Sequence, residues 1–284
     1  MNDKLNPYIN AEGQGELRDS VVAFVDVLGF KELVRDAKAK NNSQEFFTEF
    51  QNMILMAIFS LKDIFAEDCN EISDGTSGIK STYKFRIFSD CILIGCPIRE
   101  AGNTYTFIKG RNEFETVIDR LYFLQSALIS HGFFVRGAIS VGELYMDDTT
   151  IYGIGLIDAY EGELKQAKYP RIILTKSAKD MFMEINKAFQ DQELPNYLSR
   201  YLYKDSDGLF FLNYLESINI PDEPFLNALK EHKEVIEKKL RKYHDSPHIL
   251  EKYVWAANYH NCFCNLDNNN DYRIDLTQYQ MQSI

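Results

Sequence analysis

The sequence predicts an α/β sandwich, in which one mixed β-sheet is flanked by helices and a helical extension follows at the C-terminal end. Three observations support this fold class. The chain of 284 residues, with 45% hydrophobic and 26% charged residues, can bury a sizeable core. Apolar residues recur in short strand-like runs and, elsewhere, at the three- and four-residue steps of helices. The helical segments fall between pairs of strands, which favours a mixed sheet over a purely parallel one.

The first half of the chain begins with a strand and two helices. Residues 21–30 are β-branched and apolar until Asp26 interrupts the run, and Gly29 ends it, so a short buried strand that leads into a helix is expected there. A long amphipathic helix is expected over 43–65, with a serine as its N-cap. Residues 81–97 alternate before and after Ser89-Asp90, which predicts a hairpin that turns at those two residues.

The second half continues the alternation and ends in helices. The expected elements are a helix over roughly 113–130, strands within 132–146 and 149–153, a helix over 156–168, a strand over 170–174, a helix to about 189, a strand within 208–214 and a charged helix pair over 224–261. We therefore expect a flexible leader (1–20), one α/β domain (21–215), C-terminal helices packed on the core (216–264) and a mobile tail (265–284).

Charge limits the classes of partner. The net charge is −11, from 31 Lys and Arg against 42 Asp and Glu, which argues against broad electrostatic binding to nucleic acid. A nucleotide substrate is still compatible with this charge, since a few carboxylates that hold divalent cations attract phosphates locally.

The same composition indicates a soluble, cytoplasmic protein. The longest nearly unbroken apolar stretch is 53–59, far short of the ~20 residues that a membrane helix needs. The first twenty residues are polar and lack the layout of a signal peptide. The five cysteines are scattered without zinc-type pairing, as expected in a reducing compartment; they are Cys69, Cys91, Cys96, Cys262 and Cys264.

Two aspartates are the most informative candidates for chemistry. Asp26 lies at the carboxyl end of a buried strand, where a carboxylate is costly unless a cation meets it, and Asp90 lies at the tip of an apolar hairpin. If the two strands are neighbours, both carboxylates emerge at one edge of the sheet, and their oxygens suit Mg²⁺ or Mn²⁺. The alternative is that Asp26 caps the next helix and Asp90 only makes a turn.

Five segments carry a resemblance to a known family. FVDVLGF, KFRIFSD, RGAISVGEL, IYGIGLIDAYEGE and YPRI follow one another between residues 21 and 174. In this order they resemble the bacterial pyrimidine cyclases of Pycsar anti-phage defence, a branch of the class III nucleotidyl cyclases. The resemblance implies a class III cyclase-like fold and a homodimer whose two active sites lie across the subunit interface.

The resemblance also assigns site residues. It places two metal ions per site, Mn²⁺ or Mg²⁺, on Asp26, on the backbone carbonyl of Val27 and on Asp90. The turn of Leu28, Gly29 and Phe30 presents backbone N–H groups to the triphosphate, consistent with anion binding at a helix start.

Arg86 and Thr150 match the two base-reading positions of that family. Arg86 stands four residues before Asp90, so two side chains on one strand face lie roughly 13 Å apart. A homodimer with two-fold symmetry is compatible with this distance, because Asp90 of one subunit can face Arg86 of the other. Arginine offers only donors, which suit the two carbonyls of uracil and favour UTP over CTP. The alternative is that Arg86 is an exposed residue or an ion-pair partner.

The expected reaction is the conversion of UTP to 3′,5′-cyclic UMP and pyrophosphate. Where adenylate cyclases carry an Asn and an Arg, this chain has Ile157 and Glu161, so the cation that stabilises the phosphates must come from elsewhere. Arg136 and Arg171 are the candidates, each with a structural role as its alternative. The family also implies a bacterial cytoplasm and a separate effector protein that responds to the cyclic nucleotide.

Three other functions stay open at this point. The same scaffold could act on CTP to give cyclic CMP, or the domain could be a catalytically silent module for nucleotide binding or dimerisation. A palm-like phosphotransferase that joins two nucleotides is the third alternative.

Overall fold

A computed structural model describes residues 6–10, 12–61, 83–99, 108–193, 195–196, 198–218, 223–266 and 270–279. The helices are α1 (Phe30–Ala39), α2 (Ser43–Leu61), α3 (Arg111–Ser130), α4 (Ile154–Gln166), α5 (Lys176–Asp191), α6 (Leu198–Tyr201), α7 (Glu223–Lys242) and α8 (Pro247–Leu266). The strands are β1 (Arg18–Val27), β2 (Lys84–Phe88), β3 (Cys91–Pro97), β4 (Val135–Met146), β5 (Ile151–Tyr152), β6 (Ile172–Leu174), β7 (Leu202–Lys204) and β8 (Phe210–Leu212). Short 3₁₀ turns follow at Tyr214–Ile218, Asn270–Tyr272 and Thr277–Tyr279.

The strands form one mixed sheet in the order β2-β3-β1-β4-β6-β8-β7, with β5 paired to β4. Central strand β1 is antiparallel to both β3 and β4, whereas β4 and β6 run parallel. The predicted mixed α/β architecture is thereby confirmed. The last residues of the long helix predicted over 43–65 lie outside the described residues.

Successive side chains of β1 point to opposite faces of the sheet, and so they belong to different layers of the sandwich. Val21, Ala23 and Val25 point into the main core, together with residues of α2, α3 and α5. Val22 and Phe24 point to the opposite face and pack with residues of α4. Because side chains alternate along a strand, Asp26 shares the face of Val22 and Phe24. The Asp26 side chain therefore lies on the side of the sheet that α4 covers.

The hairpin of β2 and β3 turns where the sequence predicts it. Ser89 and Asp90 separate the two strands, and Ser89 has a φ of 54°, in the left-handed region. That conformation is uncommon for residues other than glycine. The turn places Asp90 directly before Cys91, which is the register partner of Asp26.

The C-terminal helices pack on the β6–β8 side of the sheet through a second apolar cluster that includes Phe211, Tyr253 and Phe263. A buried polar chain reinforces this contact. The Tyr214 hydroxyl lies 3.0 Å from Nε2 of His232, and Nδ1 of His232 lies 2.9 Å from Nδ1 of His260. Burial lowers the pKa of both imidazoles, so the pair is held in its neutral form.

The structure differs from the sequence expectation at both ends of the chain. Strand β1 begins at Arg18, before the expected domain start at residue 21. Within the expected leader, Tyr8 is fully buried and its hydroxyl donates to Oγ of Ser20. Within the expected tail, the backbone of Ile274 exchanges two hydrogen bonds with the amide side chain of Asn261. Both segments thus pack on the domain, over the part of the chain that is described.

Candidate active site

The register of three strands places the site. Asp26 on β1 lies opposite Cys91 on β3 and opposite Arg136 on β4. Cross-strand partners project from the same face of a sheet, so these three side chains form one row. The backbone N–H of Val27 donates to the carbonyl oxygen of Asp90 at 3.1 Å, which ties the hairpin turn to the end of β1.

The two predicted aspartates converge at this point. One oxygen from each of Asp26 and Asp90 and the sulfur of Cys91 lie within 4.8 Å of one another. Among the described residues, this is the one cluster of three acidic, His or Cys side chains close enough to share a metal ion. The backbone carbonyl of Val27 belongs to the same strand end.

Close approach of the two acids changes their protonation. Burial and the charge of Asp90 raise the pKa of Asp26 to about 6, although Arg136 opposes the shift. A hydrogen bond joins the two carboxyl groups. Two carboxylates held this close without a cation relieve their repulsion by retaining a proton.

The Cys91 thiol donates weakly to Oδ1 of Asp26, at 3.8 Å. Burial and the neighbouring carboxylates raise its pKa to about 12. The thiol is therefore protonated at neutral pH and acts as a polar neighbour of Asp26 rather than as a nucleophile.

Arg136 is held between two carboxylates. Its Nε lies 2.6 Å from Oε1 of Glu163 and 3.6 Å from Oδ2 of Asp26. The Glu163 side chain is only 3% exposed, and burial raises its pKa. The positive charge of Arg136 thus balances acids of the protein itself, and it is less available to phosphates than the sequence analysis assumed.

Glu163 is part of the segment IYGIGLIDAYEGE, but its role becomes evident only in the folded protein. A signal for it exists in the spacing of the buried face of α4, which consists of Gly155, Ala159, Gly162 and Glu163. A Cβ atom on Gly162 would lie 2.9 Å from the Cβ of Ala138 on β4. Small residues let the helix approach the sheet closely, and an acid in the same stripe must then meet a buried cation.

The predicted phosphate turn is present, with one change. Gly29 has a φ of 73° and precedes α1, which begins at Phe30. The N–H groups in the first turn of a helix have no partner within the helix and suit an anion. However, the N–H of Leu28 donates to the carbonyl oxygen of Phe134 at 2.8 Å. The prediction that Leu28 offers its amide to phosphate is therefore contradicted, whereas Gly29 and Phe30 remain candidates.

Arg86 and Thr150 lie at one loop. The guanidinium of Arg86 donates to the backbone carbonyl of Asp147 through Nε and Nη2, at 2.9 and 2.8 Å, and Nη2 also donates to Oδ1 of Asp148 at 2.7 Å. The N–H of Thr150 donates to Oδ1 of Asp147 at 2.6 Å. No local pattern indicates either aspartate, because their contact with Arg86 spans about sixty residues of chain.

Arg171 does not belong to the site. Its guanidinium is fully buried and pairs with Asp205 and Asp207, while the rings of Tyr169 and Trp255 lie within 6 Å. The interpretation of Arg171 as a phosphate-binding residue is wrong. It instead fixes the β7–β8 loop against α8, because Trp255 also donates to Asp205 at 2.7 Å.

Ile157 and Glu161 project outward from α4. The Ile157 side chain is about half exposed, and Glu161 pairs with Lys165 on the same helix. The outer face of α4 and the adjoining β5 expose several more large apolar side chains: Tyr152, Ile154, Tyr160 and Leu164. Ile154, Ile157, Tyr160 and Leu164 recur at three- and four-residue steps along one side of the helix. Together with Tyr152 we call them the α4 outer face.

Comparisons with solved structures give several matching chains. No protein-family model matches the chain, and no curated protein is significantly similar to it. A solved structure of a bacterial light-regulated adenylyl cyclase superposes with a TM-score of 0.41 and 11% sequence identity, over 82% of this chain and 65% of that one. This chain therefore spans about two thirds of the length of that protein. None of the described helices has the length and apolarity required to cross a bilayer.

Proposed function

We propose that this protein is a divalent-metal-dependent pyrimidine nucleotide cyclase that converts UTP to 3′,5′-cyclic UMP and pyrophosphate. The observation that carries the proposal is the convergence of Asp26 and Asp90 beside a helix start that can receive phosphates. The motifs that resemble class III pyrimidine cyclases supply the reaction type. By the same resemblance, we propose that the product is a messenger in anti-phage defence, sensed by a separate effector.

The residues fit a hard divalent cation. Asp26 retains a proton up to a pH of about 6 because another carboxyl group lies beside it and both are partly buried, so a cation would relieve a repulsion already present. Asp26, Asp90 and the carbonyl of Val27 would hold Mg²⁺ or Mn²⁺, which prefer such oxygen ligands. When bound, two such ions would lower the pKa of the ribose 3′-hydroxyl and neutralise charge on the triphosphate.

The protein's own groups orient the substrate. Nucleophile and electrophile belong to the same molecule, so catalysis depends mainly on holding the 3′-hydroxyl in line with the α-phosphorus. The amides of Gly29 and Phe30 would bind phosphate oxygens at the start of α1. Arg136 would keep Asp26 oriented, because the buried Glu163 fixes the guanidinium from the other side.

Base recognition would fall to Arg86 and Thr150. The N–H group of Nε and both N–H groups of Nη2 of Arg86 donate hydrogen bonds to Asp147 and Asp148. The two N–H groups of Nη1 are thus left for a ligand. These donors suit the carbonyl oxygens of uracil. The Thr150 hydroxyl can donate or accept, and it would complete the contact.

A homodimer would complete the site. The α4 outer face is apolar and exposed, as expected of a surface that another subunit covers. It lies on the helix that covers the active-site face of the sheet. A second copy docked there would bring its own Arg86 towards Asp90 of the first, as the resemblance implies.

Ile157 and Glu161 stand where adenylate cyclases carry an Asn and an Arg. This difference favours a second candidate function, a catalytically silent nucleotide-binding module. Neither side chain can stabilise phosphate charge, since one is apolar and the other acidic. Nucleotide binding without turnover would be the signature of this candidate.

The test is incubation of the purified protein with each of the four NTPs and Mn²⁺, with product identification by mass spectrometry. We expect cyclic UMP and pyrophosphate from UTP, lost in Asp26→Asn and Asp90→Asn and retained in Asp19→Asn, a control on the same strand that is exposed. Cyclic CMP as the main product would exclude the UTP preference. Intact NTPs despite measurable binding would overturn the cyclase proposal in favour of the silent module.

A mixing experiment tests whether each active site contains residues of both subunits. An Asp90→Ala subunit mixed with an Arg86→Ala subunit should regain part of the activity, because the heterodimer contains one intact site. Heterodimers that form but stay inactive would contradict the shared arrangement.

A further inference from the structure

We propose that Asp148 is a positioning residue for base selection, which fixes the guanidinium of Arg86 so that only one edge of it meets the nucleobase. This inference rests on the proposed function, because it takes Arg86 as the residue that contacts the base. It adds a residue whose role neither the motifs nor the strand pattern indicates.

The geometry around Arg86 is that of a clamp. The carbonyl oxygen of Asp147 accepts from Nε and Nη2, and Oδ1 of Asp148 accepts from Nη2 at 2.7 Å. Nζ of Lys84 lies 3.0 Å from the same Asp148 oxygen. Lys84 and Arg86 are two residues apart on β2 and therefore project from one face. Asp148 thus bridges both cations of that face and restrains the guanidinium against rotation.

The loop that carries Asp148 is itself held in shape. The carboxylate of Asp147 accepts from the Tyr145 hydroxyl at 2.7 Å and from the backbone N–H groups of Thr149 and Thr150 at 2.7 and 2.6 Å. These hydrogen bonds, first that from Tyr145 and then those from Thr149 and Thr150, lower the pKa of Asp147. The acceptor that faces Arg86 is therefore preorganised before any ligand arrives.

The N–H groups that Arg86 has left for a ligand determine which base it can recognise. Nε–H and both Nη2 hydrogens point at Asp147 and Asp148, so the two hydrogens of Nη1 are the donors left to a base. Without Asp148, one Nη2 hydrogen is released and the guanidinium can turn about its last bonds. Arg86 could then meet a second arrangement of acceptors, such as the O2 and N3 atoms of cytosine. Loss of Asp148 is therefore expected to weaken discrimination between bases more than turnover.

The experiment compares kcat/KM for UTP and CTP in the wild type, Asp148→Ala and Asp148→Glu. In Asp148→Ala we expect the preference between the two pyrimidines to fall about fivefold, the size of one exposed charged contact. Its saturated kcat for the preferred base should stay close to that of the wild type. Asp148→Glu should restore part of the preference, because it returns an acceptor.

The matched control is Asp180→Ala, which removes an exposed aspartate that pairs with Lys176 on α5. This variant should leave the preference between UTP and CTP unchanged. An Asp148→Ala variant that keeps the wild-type preference, or that loses activity on both nucleotides equally, would overturn the inference. A wild type that cyclises neither nucleotide would instead refute the proposed function, so the two failures are distinct.

Discussion

Replacement of Asp26 by asparagine should stabilise the metal-free protein while removing the proposed cyclase activity. In the folded protein the pKa of Asp26 is raised from 3.8 to about 6 by burial and by Asp90. A pKa unit corresponds to about 1.4 kcal/mol, so ionised Asp26 costs the folded state about 3 kcal/mol. Asparagine has nearly the same shape and carries no charge. Because Arg136 also loses a carboxylate neighbour, the expected net gain is about 1–3 kcal/mol.

The pH dependence gives the sign of the effect. A carboxyl group with a raised pKa binds its proton more tightly in the folded state, so it lowers stability as the pH rises. The cost is complete above a pH of about 6 and vanishes below 3.8. The advantage of Asp26→Asn should therefore be largest at about pH 8, fall to about half near pH 5 and disappear in more acidic solution.

The assay is urea unfolding of both proteins in EDTA across this pH range, with Asp19→Asn as the exposed control. Added Mn²⁺ should stabilise the wild type and leave Asp26→Asn nearly unchanged, because ligands stabilise only a state that binds them. An asparagine variant that is less stable than the wild type at every pH would refute the reasoning. It would mean that Asp26 is a net stabilising partner of Arg136.

Three further predictions concern packing and assembly. Arg171→Met should lower the free energy of unfolding by about 3 kcal/mol or more, measured in urea, since it leaves Asp205 and Asp207 without their cation. An unchanged unfolding midpoint would contradict the role of Arg171 in fixing the β7–β8 loop. Gly162→Ala should cost about 1–3 kcal/mol in the same assay, because its methyl group would crowd the sheet; wild-type stability would show that α4 can shift freely. Ile157→Glu should give a monomer in sedimentation and abolish turnover, because it places a charge in the α4 outer face; an active dimer would exclude this interface.

Local patterns were sufficient to predict the frame of the site. Asp26 interrupts an apolar run three residues before Gly29, and Asp90 is the second residue of the turn that follows an alternating strand. Each signal lies within a few residues, so it survives without knowledge of the tertiary structure. The sheet then brings the two aspartates together, because β1 and β3 pair with Asp26 opposite Cys91.

Other site residues depend on contacts between distant parts of the chain. Glu163 is an unremarkable helical acid until α4 lies across β4 and meets Arg136. Asp148 approaches Arg86 only because the far end of β4 and its loop reach β2. The burial of Tyr8 likewise requires the completed sheet. Strand β7, with three residues, is too short to show a period.

The two sides of helix α4 carry different kinds of side chain. Its inner side carries Glu163, which holds the arginine next to Asp26, and its outer side carries the exposed apolar stripe. Under the proposed function, a second subunit docked on the outer side would therefore contact the same helix that holds Arg136 beside Asp26. The proposed cyclase would then lose specific activity on dilution, as its dimers dissociate.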